Sequence, residues 1–161
     1  MIFTSISPDA FDKKNVSKDI HEMNNNIASL LSNVPPSHEI PFDVLQDIRR
    51  NGGGLLPSQP ISKHAENRVI EHASKKVSVR IFSIEDPQFI YLHIHGGGHC
   101  IGAADMQDQS LEKVSKDLNC VVISVEYRLA PKNPYPAAPD DCETAALWLA
   151  ENSKKEFNTE K

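Results

Sequence analysis

The chain has 161 residues, 39% hydrophobic and 24% charged, with a formal net charge of −5 at pH 7. That length suits one domain, and the acidic balance argues against nucleic acid or an anionic membrane surface as a partner. No run approaches the ~18 apolar residues of a membrane span. Met1–Ser7 lacks the basic start and apolar length of a signal peptide. Cys100, Cys120 and Cys142 have no paired spacing for a disulfide framework or zinc knuckle. The expectation is a cytoplasmic chain with reduced thiols.

Residues 1–60 are rich in Asn, Ser, Asp and Pro. Asp19 to Leu31 places Ile20, Met23, Ile27, Leu30 and Leu31 on one helical stripe, which Pro35-Pro36 ends. Pro41 to Arg50 reads as a second short helix, with Pro41 near its first turn. Asn51-Gly52-Gly53-Gly54 stops it and reads as a flexible linker. Residues 61–161 form the second expected segment. Arg68 to His72 and Val77 to Ile84 read as strands joined by Ala73-Ser74-Lys75-Lys76. In the second of them Val77, Val79 and Ile81 alternate with Ser78, Arg80 and Phe82, a half-buried pattern. Phe89 to His95 is a more apolar strand. Asp105 to Leu118 has helical spacing at Leu111, Val114 and Leu118. Val121 to Tyr127 is almost continuously apolar, as a strand covered on both faces should be. Strand, helix, strand predicts a crossover unit with parallel strands. Asp140 to Glu151 is a last helix whose Ala145, Leu147, Trp148 and Ala150 should cover the sheet, and the polar tail Asn152 to Lys161 is expected to fray.

The third strand ends in His95-Gly96-Gly97-Gly98. Consecutive glycines at a strand end expose bare backbone N–H groups and allow backbone angles closed to residues with a Cβ. Such a loop can aim two amides at one developing negative charge, as an oxyanion hole requires. Glycine turns after strands also cradle phosphates. Gly96, Gly98 and Gly102 come close to a dinucleotide fingerprint, and Glu126, ending the next strand, stands where a ribose-binding acid could.

Tyr127-Arg128-Leu129-Ala130-Pro131, then Tyr135-Pro136-Ala137-Ala138-Pro139-Asp140-Asp141, follows that next strand, and the prolines at 131, 134, 136 and 139 stiffen it into a surface loop. Together with the histidine and three glycines at this distance, the block resembles the hormone-sensitive-lipase-like family of α/β-hydrolases, which includes arylacetamide deacetylases and carboxylesterases. The resemblance covers about residues 61–151. It implies an α/β fold with a mostly parallel sheet between helices, and a helical cap segment from residues 1–60. It implies carboxylic-ester hydrolysis through a serine acyl-enzyme, with a small-molecule ester as substrate and no cofactor. Gly97 and Gly98 would donate the oxyanion N–H groups, Gly96 would shape the turn and His95 would pin it. Tyr127, Arg128 and Pro131 would be structural, with Arg128 pairing to Asp140 or Asp141. Two positions depart from the pattern. His99 stands where an aromatic or large apolar residue is usual, and Lys132 stands in place of a glutamate.

That chemistry also needs a serine on a Gly-x-Ser-x-Gly elbow, then an acid and a histidine, in that order. The seven glycines at 52, 53, 54, 96, 97, 98 and 102 include no pair four apart with a serine midway. None of the triad is therefore expected in these residues, and the chain alone is expected to be inactive. In the family the third strand lies between the fourth and fifth, so without a fifth it becomes an apolar open edge. Self-association or a complementing C-terminal fragment is the expected consequence. A non-catalytic binding protein on half a fold and a dinucleotide-binding domain are the alternatives. His93, His95 and His99 invite a metal reading, but no further His or Cys cluster accompanies them, so no metal site is expected. Cys100 has no orienting base nearby in sequence and reads as a small buried apolar side chain.

Overall fold

The computed structural model describes residues 7–52 and 58–159. Met1 to Ile6, and Gly53-Gly54 of the expected linker, lie outside the described residues. The chain divides into two compact units, Met1–Ile40 and Pro41–Lys161.

In the first unit α1 spans Lys18–Ser32. Asn33 caps it, donating its backbone N–H to the carbonyls of Leu30 and Leu31. Its stripe of Ile20, Met23, Ile27, Leu30 and Leu31 is exposed.

The second unit opens with α2, Phe42–Asn51, preceded by Pro41 and capped by Gly52 at φ 74°. Only glycine takes that left-handed position without penalty, which is why the helix stops there. The strands are β1 (Glu66–His72), β2 (Lys75–Phe82), β3 (Phe89–Ile94) and β4 (Cys120–Glu126). They form one sheet in the order β1-β2-β4-β3. β1 with β2 and β2 with β4 are antiparallel, while β3 and β4 are parallel, as a crossover through a helix demands. That helix is α3, Asp108–Leu118, and the last helix is α4, Ala137–Phe157.

The sheet is covered on both faces. On one, Ile70, Val79, Ile81, Ile123 and Val125 meet Ala145, Trp148 and Leu149 of α4. On the other, Phe82, Cys120 and Val122 meet Leu111 of α3.

Several expectations are corrected. The β1–β2 turn is two residues, not four: Ala73 and Ser74 have φ 48° and 66°, and Lys75 and Lys76 already pair with His72 and Glu71. Two positive φ values match the twist of a tight hairpin. β2 is not half-buried, because α3 covers its second face and buries Arg80 and Phe82. α3 begins at Asp108, three residues later than its spacing implied, since Asp105 to Gln107 form turns. α4 begins at Ala137 because Pro139 falls in the first turn, where its missing N–H has no partner to lose. Its C-terminal end does not fray at Asn152. Phe157 is buried edge-on against Trp148 at 6.4 Å, and that one aromatic anchor carries a polar segment in helical form. Leu147 and Ala150 are exposed, and Thr144 and Leu149 are buried in their place.

Candidate active site

β3 runs through its apolar residues to His95, which is buried. Its ring stacks on Tyr127 with centroids 4.0 Å apart, and the Tyr127 hydroxyl donates to the His95 carbonyl at 2.6 Å. His95 Nδ1 lies 3.0 Å from the Gly96 carbonyl. A carbonyl only accepts, so the neutral ring carries its proton on Nδ1. Burial pushes the imidazole below its ordinary value of 6.5, which keeps it neutral.

Beyond His95 the chain turns sharply. The Gly97 carbonyl accepts from the N–H groups of Cys100 and Ile101, both at 3.1 Å. Gly97 and Gly98 hold φ 131° and 61°. A Cβ on Gly97 would lie 1.9 Å from the Ile101 carbonyl oxygen, so the turn closes only around a glycine. Gly96 differs: its φ is not positive, and a Cβ there meets nothing within 4 Å. Gly97 and Gly98 are exposed, and neither N–H has an acceptor among the described residues. Adjacent backbone donors without an acceptor are the kind of group that can receive a negative oxygen.

The two sequence blocks meet here. Besides the His95–Tyr127 stack, Ala130 N–H donates to the His99 carbonyl at 2.8 Å. Arg128 turns away and forks onto Asp141, with Nη2–Oδ1 2.8 Å and Nε–Oδ2 2.9 Å, and the same carboxylate takes the Arg128 N–H at 2.9 Å. Asp140 instead lies 3.8 Å from Lys75. Pro131 belongs to the wall of an open cavity of about 800 Å³, with Leu129, Ala130, Cys100 and Phe42 of α2. Cys100 is half-buried there rather than fully buried. Lys132 is exposed on the rim of the same cavity.

A phosphate cradle is not what this loop forms. Gly98 leads into turns, and the next helix starts only at Asp108, whereas pyrophosphate sits on the first turn of a helix opened by the glycines. Glu126 accepts the Ala104 N–H at 2.6 Å, and desolvation of its carboxylate raises its pKa. It holds a loop and does not face a ribose. His93 Nδ1 lies 2.9 Å from the Ser124 hydroxyl, and His99 is exposed at φ 60°. Among the described residues no three His, Cys, Asp or Glu side chains converge on a cation position.

Sequence reasoning missed the support of this loop. Gln46 of α2 exchanges two hydrogen bonds with Gly102, and Arg50 reaches Asp105 at 3.1 Å. It also missed a buried ion pair. Arg80 donates to both oxygens of Asp108, and its guanidinium further reaches Asn67 and the Ser62 carbonyl at 2.8 and 2.7 Å. An arginine interrupting an apolar strand was the one available signal.

Residues 91–161 match a family model described as alpha/beta hydrolase fold. Esterase LipI of Mycobacterium tuberculosis is 35% identical over 111 residues, 62% of this chain and 33% of that protein. The Arylesterase of Saccharolobus solfataricus is 31% identical over 114 residues, 67% of this chain and 37% of its own. Among solved structures the Pyrobaculum calidifontis esterase superposes with a TM-score of 0.65 at 22% identity, over 88% of this chain and 45% of that one. The fold is thus that of an α/β-hydrolase, and the matched region, part of this chain, supports the hormone-sensitive-lipase-like family of these proteins. It spans about a third of the length of the two curated relatives named.

Proposed function

We propose that this chain supplies the oxyanion arm of a carboxylic-ester hydrolase. The observation that carries the reading is the pair of exposed, unused N–H groups on Gly97 and Gly98, held on a turn that only glycine can close. As serine attacks an ester carbonyl, negative charge grows on the carbonyl oxygen, and donors already in place stabilise it without reorganising. Gly96 leads the chain into the turn, and His95 anchors it through Tyr127. Arg128 and Asp141 brace the proline-rich loop that walls the neighbouring cavity, a place for one side of a small-molecule ester. The nucleophile, acid and base come from outside these 161 residues, in cis or from a complementing fragment. Residual assistance without them is small.

Two measurements test this. Incubated with a fluorophosphonate probe and short p-nitrophenyl esters, the chain alone should take no label and give no turnover above buffer. Stoichiometric labelling of a serine would overturn that expectation. Joined to the segment of the Mycobacterium relative that follows the matched region, it should hydrolyse p-nitrophenyl butyrate, and Gly97→Val should lower kcat about 10²–10³-fold. A folded, active chimera indifferent to Gly97→Val would remove the glycine loop from this role.

A further inference from the structure

We infer that Gln46 is a positioning residue for the oxyanion donors: it clamps Gly102 from α2 and, through Gly102, sets where the Gly97 and Gly98 N–H groups point. This rests on reading the glycine loop as the oxyanion arm.

The clamp is reciprocal. Gln46 Nε2 donates to the Gly102 carbonyl at 2.8 Å, and the Gly102 N–H donates to Gln46 Oε1 at 2.7 Å, across 56 residues of sequence. One uncharged amide thereby satisfies both backbone polar groups of one residue. A carboxylate lacks the donor and an ammonium lacks the acceptor.

Gly102 is the point at which such a grip reaches the loop. It sits at φ 103°, and a Cβ there would lie 2.5 Å from the Gly96 carbonyl oxygen and 2.6 Å from His95 Nδ1. Its backbone therefore abuts both the first glycine and the histidine that anchors it. From the other side Gly97 receives Cys100 and Ile101, so residues 97–101 close one turn directly before Gly102. A displacement of Gly102 therefore passes to Ile101, whose N–H is bonded to the Gly97 carbonyl, and to Gly96, whose carbonyl it abuts. Arg50 lies one helical turn beyond Gln46, on the same face of α2. It holds Asp105, and Glu126 holds Ala104. Gln46 is the member of this set that grips the glycine touching the donor loop.

The test uses the whole chain, labelled with ¹⁵N-glycine, which has seven glycines to resolve, and separately with ¹⁵N-valine. In Gln46→Ala the Gly102 amide should exchange with solvent about tenfold faster, the loss of a hydrogen bond being worth roughly that factor. The Gly97 and Gly98 signals should move, while the valine amides of β4 keep their protection. Gln46→Glu adds a readout that a merely structural residue would not show. Its carboxylate accepts from Gly102 but cannot donate, whereas the protonated acid does both. The Gly97 and Gly98 signals should therefore return toward wild-type positions as pH falls through the new carboxyl's pKa. Wild type measured at each pH removes the titrations of Glu126, Asp105 and His95. Unchanged glycine signals and exchange in Gln46→Ala, with valine protection intact, would overturn the clamp. If Gln46→Ala unfolds, a pH-independent Gln46→Glu spectrum does the same. Either failure leaves the donor role of Gly97 and Gly98 standing, because the esterase chimera tests that role by itself.

Discussion

Replacing each glycine of the loop by alanine should change stability with a sign and size that the backbone sets position by position. Gly96→Ala adds a methyl where no atom beyond its own chain neighbours lies within 4 Å and where φ is not positive. It restricts the unfolded chain and should stabilise by about 0.4–1 kcal/mol. Gly98 also has open space, but its φ is 61°. A side chain in that left-handed region costs about 1–2 kcal/mol, only partly offset by the same restriction of the unfolded chain. Gly97 combines φ 131° with a Cβ 1.9 Å from the Ile101 carbonyl oxygen, where side-chain carbons essentially never come within 3.0 Å, so that carbonyl must retreat by more than 1 Å. Crowding of that kind costs about 1–3 kcal/mol, and the backbone strain about 1–2 more, so Gly97→Ala should lose about 2–5 kcal/mol. Urea unfolding of the four proteins, followed by circular dichroism with m held common, reads the order directly. Values for the three variants within 0.5 kcal/mol of one another, or Gly96→Ala as the least stable, would refute the reasoning.

Three further outcomes are expected. Arg80→Met leaves Asp108 buried without its cation and should cost about 3–5 kcal/mol, while the double variant Arg80→Met/Asp108→Leu should recover most of it; a loss below 1 kcal/mol in urea for the single variant would speak against the buried pair. Glu126 is exposed along its side chain, but desolvation of its carboxylate where it meets the Ala104 N–H raises its pKa above the ordinary 4.5. The folded state therefore prefers the protonated form, and this contribution is complete below pH 4.5 and is lost as pH rises through the folded value. Glu126→Gln keeps an acceptor for Ala104 and has no proton to lose, so Tm should fall less with pH just above 4.5 than in the wild type; an equal or steeper fall contradicts this. Among the described strands β3 pairs only with β4, and Tyr91 and Ile94 on it are exposed. The chain should self-associate with rising concentration in sedimentation velocity, and Ile94→Lys should suppress this. A strictly monomeric wild type with one cooperative transition above about 55 °C would exclude an edge liability.

Local chemistry was readable from the residues. The stripe of α1, the apolar run of β4 and the crossover through α3 follow from periods of 3.6 and 2, which depend on neighbours a few residues away. The glycine triplet and the proline-rich block were legible because backbone angles and missing donors are properties of the residue types themselves. What the sequence could not announce was which distant groups meet. Gln46 is an ordinary polar residue of a short helix until the fold sets its amide against Gly102, and Glu126 is a strand-end acid until Ala104 turns its N–H toward it. Arg80 looks like the solvent side of an alternating strand, and only α3 lying on that face makes it a buried ion-pair partner. Phe157 looks like part of a frayed tail until Trp148 receives it. Periodicity reports that a face is apolar. It does not report which surface will cover that face, because pairing depends on atoms brought within a few ångströms by the whole chain. The glycine loop after β3 shows the division: its glycines were written locally, and the side chains that hold it in place were assigned by the tertiary fold.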